Sequence, residues 1–429
     1  MVVKSRRIWY HTTMIQAKDN KWTLLGFLCA TFIVYTIDRA LLGPLAIPIQ
    51  RDTGITDVQF GVLNAAVFWT YAAAVPLAGY LGDRFDRGVL IGVASVVWSV
   101  MTLLAGFANG FWSLFLLVSF AVTAPQTIYS PSATALIAAH HVETRGKAMS
   151  LHQAAFYTGW ILSGFVVAAI LSWFGSWRAA YFIFGTAGVL LGLAFLRRSL
   201  NRRTAASVGA FAPAAKPVFR AAFGAFFGCP SAVLASLAHV SLTFVSFGYS
   251  AWGPKFVAEK FGLSPGAAGS GVMFWHFAAA FGAILLAGGL TDVFVKRYPR
   301  FRLVLQASAL VGAAPLLALF GMSPALCGVW TAAALFGVMK GLFEANSVNS
   351  IFDVVPSAYR ASAMGYMNVI AGTLGSLAPI ILGYLSQRRG TDGLAVGFAA
   401  LGAVLVGAAL LLVFSCLFTF NHDRQTREN

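Results

Sequence analysis

Charged side chains are scarce in this sequence. Asp, Glu, Lys and Arg make up 10% of the 429 residues, whereas ordinary soluble domains carry about 25%. Apolar residues make up 59% and the mean hydropathy is +0.77, so most of the surface does not face water. This composition excludes a soluble enzyme, a disordered tail and a disulfide-rich scaffold. It predicts a protein that crosses a membrane many times.

Cysteine and acidic residues are also few. The four cysteines lie singly in or beside apolar runs, without the spacing of a metal or redox motif, so we expect neither a metal nor a cofactor. The 30 basic residues outnumber the 14 acidic ones and give a net charge of +16. Because they form short clusters between apolar runs, they do not indicate a nucleic-acid partner.

The sequence is rich in long apolar runs. A helix needs roughly 20 apolar residues to cross the hydrocarbon core, and twelve runs qualify: 24–48, 60–81, 89–108, 111–138, 148–173, 178–196, 230–255, 266–290, 303–321, 324–352, 363–386 and 393–419. They are too long for barrel strands and do not alternate polar with apolar residues. The predicted fold class is therefore an all-α membrane protein with twelve transmembrane helices.

The basic residues predict an orientation. If both termini are cytoplasmic, 22 of the 30 Lys and Arg residues fall on the cytoplasmic side, six on the other side and two inside spans. This asymmetry follows the positive-inside rule. We expect a multi-pass protein of a bacterial-type inner (plasma) membrane. The first span serves as its own insertion signal, because residues 1–21 are polar and no cleavage site follows the first apolar run.

The chain divides into two similar halves. Three segments of the first half recur in order in the second, at offsets of 209 to 215 residues: Gly43-Pro44 as Gly253-Pro254, residues 79–83 as 288–292, and residues 145–149 as 360–364. A 6+6 duplication predicts two pseudo-symmetric bundles with the substrate site between them near the bilayer midplane. The alternative is a repeat that reflects ancestry and packing only. The predicted domains are a cytoplasmic tail (1–21), a first bundle (22–196), a cytoplasmic linker (197–229), a second bundle (230–420) and a cytoplasmic tail (421–429).

Residues 79–88, Gly-Tyr-Leu-Gly-Asp-Arg-Phe-Asp-Arg-Gly, resemble the signature loop of the major facilitator superfamily, and the copy at 288–297 lies where that superfamily carries a second one. The resemblance extends over the whole chain and implies a transporter rather than an enzyme. It also implies a conformational latch on the cytoplasmic side, formed here by Gly79, Gly82, Asp83, Arg84, Arg87 and Asp292. The alternative role for the charged residues of the loop is to anchor the topology.

Four charged residues fall inside predicted spans, where each costs at least about 2.5 kcal/mol on insertion scales. Asp38 and Arg39 are adjacent, so a helix points them about 100° apart, one toward the central cavity and one toward a neighbouring helix. We expect Arg39 to bind an anionic substrate group with its planar guanidinium and Asp38 to carry a proton. The alternative is a structural network that fixes helix packing.

Lys340 and Glu344 are spaced i,i+4 and face the same side of span 10. One interpretation is a mutual ion pair that only neutralises their cost. In the other, Glu344 is a proton-coupling site, and Lys340 is released to bind substrate when Glu344 is neutral. Further polar and aromatic candidates for substrate binding are Gln126, Tyr129, Tyr249, Trp252 and Asn346. Three intramembrane histidines, His152, His239 and His276, serve either in packing or in a relay.

Within the superfamily, Tyr35-Thr-Ile-Asp38-Arg39, with residues 54–61 and 249–254, is similar to the anion:cation symporter branch and to the Spinster-like branch. Ser119 and Gln126 stand where those branches commonly place an arginine and a glutamate, so the resemblance does not imply proton coupling through span 4. Either Glu344 in span 10 substitutes for that glutamate, or the protein is a uniporter or exchanger. We predict a monomeric secondary active transporter of a small organic anion, a carboxylate or sugar acid, coupled to protons and working by alternating access among membrane lipids. The alternatives are an exporter of amphipathic molecules such as lysolipids or drugs, and a transporter-like receptor.

Overall fold

The computed structural model describes residues 21–203 and 219–428. These residues are almost entirely helical and include no β-strand, so the predicted all-α class is confirmed. Parts of the two predicted tails and of the predicted linker lie outside the described residues. Within the predicted linker, helices occupy its first residues, through Arg203, and the segment Phe219–Phe227.

In residues 21–203 the structure describes nine helices and one π-helical segment, Phe115–Val122. In chain order the helices are α1 (Lys21–Ala40), α2 (Ala46–Thr53), α3 (Asp57–Arg84), α4 (Arg87–Ala105), α5 (Phe111–Leu114), α6 (Thr123–Gln126), α7 (Tyr129–His140), α8 (Arg145–Phe174) and α9 (Trp177–Arg203). Local sequence sets several of these limits. Thr56 caps α3 through a reciprocal pair of hydrogen bonds with Gln59, which satisfies backbone N–H groups that a helix start leaves unpaired.

The first and fourth spans are not continuous helices. The prediction that span 1 runs from 24 to 48 is wrong at its end, because α1 stops at Ala40 and the chain turns before α2. Pro44 disfavours helical backbone at the residue before it, and Gly43 packs directly on the backbone carbonyl of Ser250. The fourth span is interrupted after Gln126, near the two prolines that predict a kink there, Pro125 and Pro131.

Residues 219–428 form eight helices, a 3₁₀ turn (Ser357–Tyr359) and a π-helical segment (Ser415–Thr419). The helices are α10 (Phe219–Phe227), α11 (Pro230–Phe261), α12 (Pro265–Val295), α13 (Phe301–Met322), α14 (Leu326–Phe352), α15 (Arg360–Gly375), α16 (Leu377–Phe414) and α17 (Phe420–Glu428).

The chain reverses direction within α16. Gly390 has φ 57° and ψ −136°, a conformation open essentially to glycine alone. Beyond it, Gly393 packs on the carbonyl of Leu385 and Gly397 packs on Leu382, so the two arms lie side by side. By length and apolarity the described residues hold 11 candidate spans, the last of which is Ser362–Arg424. Dividing that 63-residue stretch at the reversal gives twelve crossings in the described part of the chain.

The two halves pack tightly against each other at one end, where α3 begins, α8 ends, α12 begins and the first arm of α16 ends. We call it the closed end. A Cβ added to Gly61 would lie 2.5 Å from the carbonyl oxygen of Pro379, and one added to Gly164 would lie 2.5 Å from that of Gly269. The 79–88 loop lies at the other end, because the 28 residues of α3 extend about 42 Å. The halves are thus closed together on one side of the membrane.

Candidate functional site

The adjacent charges of α1 enter different surroundings, as the sequence predicts. Asp38 points into the first half, where it is buried and its Oδ2 accepts a hydrogen bond of 3.3 Å from the Thr102 hydroxyl on α4. Its Oδ1 has no hydrogen-bond partner among the described residues. Arg39 points instead to a cavity between the halves.

Aromatic side chains surround the Arg39 guanidinium. Its Nη1 donates a 2.9 Å hydrogen bond to the Tyr35 hydroxyl. The guanidinium carbon lies 5.7 Å from the ring centroid of Tyr35, 5.2 Å from that of Phe68 and 5.1 Å from that of Tyr71, within cation–π range. No acidic side chain within residues 21–203 and 219–428 forms an ion pair with Arg39. Its positive charge and most of its N–H donors remain available to a ligand.

The cavity has a volume of about 170 Å³ and lies between the two halves. Its charged groups are Arg39 from the first half and Lys340 and Glu344 from the second. Its polar and aromatic lining comes from both halves and includes Asn64, Phe68, Phe156, Trp160, Thr243, Ser246, Phe247, Ser250 and Phe277. We call it the inter-half cavity.

Lys340 and Glu344 form the ion pair that their spacing allows. Lys340 Nζ lies 2.7 Å from Glu344 Oε2, and the same oxygen accepts a 2.9 Å hydrogen bond from the Tyr157 hydroxyl. Tyr157 lies on α8 of the first half and Glu344 on α14 of the second, so this bond joins the halves at the cavity. The side chain of Lys340 is 7% exposed and that of Glu344 28%, which leaves the carboxylate the more accessible partner.

Stacked aromatic rings also bridge the halves around the cavity. Phe68 and Phe247 stack with ring centroids 3.5 Å apart, and Trp160 and Phe277 with centroids 4.7 Å apart. Tyr157 stacks on Phe281 at 5.3 Å. Sequence reasoning missed Tyr157, Phe68 and Phe247. Uncharged aromatics in an aromatic-rich membrane helix give no pattern that separates a cavity residue from a lipid contact.

Two of the predicted binding residues lie behind the cavity wall. Tyr129 is fully buried, and its ring stacks on Tyr35 with centroids 5.6 Å apart. Its hydroxyl donates to the Leu28 carbonyl at 2.6 Å and lies 2.9 Å from His152 Nε2. A hydroxyl has one proton, so Nε2 is the donor of the second bond and His152 supports the packing behind Arg39. Gln126 is buried, and its side-chain amide has no partner among the described residues.

Three more predicted binding residues lie on helices of the second half, and one of them, Trp252, packs edge-on against Phe60 of the first half with ring centroids 5.4 Å apart. Tyr249 is fully buried against Phe320 and Phe336. Trp252 Nε1 donates a 2.8 Å hydrogen bond to the carbonyl of Pro379, and Asn346 Nδ2 lies 3.3 Å from the Thr291 hydroxyl. The structure does not bring these side chains to the inter-half cavity.

The remaining histidines differ in their surroundings. His239 Nδ1 lies 2.8 Å from the Ser347 hydroxyl, and its ring is within electrostatic range of Glu344 and Lys340. His276 is fully buried among aromatic rings, including Phe336 with centroids 4.8 Å apart. His239 therefore borders the charged pair, whereas His276 belongs to the packing.

The predicted latch lies at the end opposite the closed end. Arg87 Nε donates a 3.2 Å hydrogen bond to the Gly82 carbonyl, and the Arg84 guanidinium lies over the Tyr80 ring. The side chains of Asp83 and Asp292 lie outside what the structure describes. Gly79 approaches no neighbouring helix within the described residues, since an added Cβ would have no heavy atom within 4 Å.

A charged network that the sequence did not reveal joins the halves at the closed end. Lys255 of the second half pairs with Asp57 of the first and donates a 3.1 Å hydrogen bond to Gln50 Oε1. Asp57 Oδ2 also accepts a 2.6 Å bond from the Ser386 hydroxyl. We call these four residues the closed-end network. They are distant in sequence, and no local pattern connects them.

Known proteins similar to this chain are transporters. Residues 27–379 match the family model described as the Major Facilitator Superfamily. A probable sulfoacetate transporter of Cupriavidus necator is 26% identical over 437 residues, which cover 95% of this chain and 96% of that protein. Protein spinster of Drosophila melanogaster is 26% identical over 312 residues, 70% of this chain. The chain spans only half the length of that relative.

Solved structures share the fold. A bacterial homologue of the human lysosomal transporter Spinster, in an inward-facing and unoccupied conformation, superposes with a TM-score of 0.78 at 21% identity, covering 95% of this chain and 98% of that one. A D-xylose-proton symporter gives a TM-score of 0.72 at 14% identity, covering 93% and 97%. At these identities the likeness concerns the fold alone.

Proposed function

This chain belongs to the Major Facilitator Superfamily, and on that premise we propose that it is a secondary active transporter of a small organic anion. The observation that carries the proposal is Arg39. Its guanidinium faces the inter-half cavity, is held by three aromatic rings and has no carboxylate partner in the described part of the chain. A planar cation with free N–H donors suits a carboxylate or sulfonate group.

The size of the cavity supports a small substrate. Its volume of about 170 Å³ is below the roughly 300–1,000 Å³ of pockets for drug-sized ligands. The similarity to a probable sulfoacetate transporter over 95% of the chain agrees with a small acid. The second candidate, export of amphipathic molecules, is favoured by the stacked aromatic lining and by the similarity to Protein spinster.

The packing of the halves supports alternating access. The closed-end network and the close contacts of Gly61 and Gly164 seal one side of the cavity. With both termini cytoplasmic in a bacterial-type inner membrane, as the basic residues predict, the sealed side faces outward. The protein then adopts an inward-facing state, and the 79–88 loop is the latch that closes in the opposite state.

Glu344 and Asp38 are the proposed proton-coupling groups. Glu344 touches the cavity, its cationic partner and, through Tyr157, the other half, so its protonation changes both substrate binding and the contact between halves. Asp38 is one residue from Arg39, and one of its oxygens has no partner in the described region. A change of its charge therefore acts next to the proposed anion site.

The test is binding and uptake by the purified protein in proteoliposomes, with sulfoacetate and simple carboxylates as probes. We expect Arg39→Gln to weaken anion binding about ten- to hundredfold, because a charge-assisted hydrogen bond contributes about 1.5–3 kcal/mol. Arg389→Gln removes the same charge from an exposed position outside the cavity and serves as the matched control. Wild-type affinity and uptake in Arg39→Gln would contradict the proposal, as would stabilisation by lysophospholipid without stabilisation by any anion.

A further inference from the structure

The inter-half cavity contains two cations that differ in availability. Arg39 has no acidic partner in residues 21–203 or 219–428, so its charge is available to an anion. Lys340 is held by the carboxylate of Glu344 at 2.7 Å. The cavity therefore offers one permanent anchor for an anion and one conditional anchor.

The state of Glu344 decides whether the second anchor is available. The groups that face this carboxyl are Lys340 on its own helix, the Tyr157 hydroxyl on α8 and His239 on α11, while His276 on α12 is within electrostatic range of Lys340. Arg39 on α1 shares the cavity. When Glu344 binds a proton it loses its negative charge, and the Lys340 ammonium is then the uncompensated charge of the pair.

We propose that the transporter selects short dianions, binding one acid group on Arg39 at all times and the second on Lys340 only after Glu344 has taken up a proton. The proposal rests on the anion transport proposed above and adds the charge of the substrate and the stoichiometry. One proton accompanies each dianion, so the substrate and the proton together add one negative charge to the site. A monoanion uses Arg39 alone and binds without that proton.

Tyr157 connects this step to the movement of the halves. Its hydroxyl crosses from α8 to the Glu344 carboxylate on α14, and a hydrogen bond to a charged acceptor is about twice as strong as one to a neutral acceptor. Protonation of Glu344 therefore weakens a bond between the halves in the same step that frees Lys340. Binding of the second acid group and loosening of this contact occur together.

Sulfonates are suitable probes, because they stay ionised across the working pH range. Any pH dependence of their binding affinity therefore arises from a titrating group of the protein. The probes are methanesulfonate, with one negative charge, and methanedisulfonate, with two. Their affinities are measured from pH 5.5 to pH 8 by the shift in melting temperature and by calorimetry. We expect the affinity for the dianion to rise as pH falls, by up to about tenfold per pH unit for one linked proton, while the affinity for the monoanion stays level.

Two variants locate the proton. In Glu344→Gln, Lys340 has no carboxylate partner on its helix, so dianion affinity becomes high and independent of pH, and a cooperative melting transition shows that the fold is intact. Tyr157→Phe removes a donor to the carboxylate, so the pH profile of dianion binding changes. Glu143→Gln, an exposed position in the loop after α7, is the matched control and keeps the wild-type profile.

The outcomes separate the two proposals. Arg39-dependent binding of methanesulfonate with no preference for the dianion at low pH overturns the dianion mechanism and leaves anion transport standing. A pH dependence that persists unchanged in Glu344→Gln also overturns it, because another group then takes the proton. If neither sulfonate nor any carboxylate binds, the anion transport proposal fails and the dianion mechanism fails with it.

Discussion

A single methyl group should disrupt the closed end. Gly164 lies on α8 where that helix meets α12, and a Cβ added there would come within 2.5 Å of the Gly269 carbonyl oxygen and 2.6 Å of Ser270 Cα. Both are backbone atoms, which cannot rotate away as a side chain can. We therefore expect Gly164→Ala to separate the two halves at this end.

The size of the effect follows from the cost of overpacking. An extra methylene in a well-packed contact costs about 1–3 kcal/mol, and the contact exists only while this end is closed. The equilibrium between closed and open forms of this end should thus shift by about 5- to 150-fold. Gly146→Ala is the matched control on the same helix, because an added Cβ there has no heavy atom within 4 Å.

The assay is the distance distribution between spin labels at Ser172 and Ala267, both exposed at the closed end, in a background where the exposed Cys327 is replaced by Ser. We expect a longer distance to be populated in Gly164→Ala, together with slower substrate uptake, and the wild-type distribution in Gly146→Ala. Identical distributions for the two variants would refute the assignment of a tight inter-half contact at Gly164.

Two further predictions concern charges near the closed end. Asp57→Lys or Lys255→Asp alone should populate the same longer distance, because each leaves two like charges facing each other, and the double exchange should restore the wild-type distribution by restoring the pair. Hydrogen bonds from Arg178, and next from Trp177, hold the pKa of Asp52 below its usual range. These hydrogen bonds stabilise the folded protein above the ordinary carboxyl pKa, and that stability is lost as pH falls through the lowered pKa of Asp52. The melting temperature of the wild type should therefore exceed that of Asp52→Asn at pH 7, and the two should become equal in strong acid.

Composition and hydropathy were enough to predict the fold class. The hydrocarbon core requires long apolar helices with every backbone group paired, and no other structure satisfies the sequence. The limits of individual helices were harder to predict. Span 1 ends eight residues before its predicted end, because Gly43 must pack on the Ser250 carbonyl of the other half, and that partner is distant in sequence.

The charged residues of the candidate site could be predicted from the sequence, whereas its uncharged residues could not. A charge in the membrane has a high insertion cost, which singled out Asp38, Arg39, Lys340 and Glu344. The last three line one cavity, and Asp38 does not. Tyr129 and Tyr249 carry no charge, and the same residue type serves equally well in a pocket wall or behind one. Which of the two it does depends on helix rotation, which is set by tertiary packing and not by local sequence.

The energetics of Arg39 explain why a transport site can leave a charge unpaired. Insertion of an arginine at mid-membrane costs about 2.5–3.5 kcal/mol. Three cation–π contacts at about 0.5–1 kcal/mol each, with a charge-assisted hydrogen bond of about 1.5–3 kcal/mol to Tyr35, offset that cost without a carboxylate. A carboxylate partner would stabilise Arg39 further, but a substrate anion would then have to displace it. The aromatic surround keeps the guanidinium in place and leaves its charge for the ligand, while Lys340, which has such a carboxylate, becomes available only when that carboxylate is neutralised.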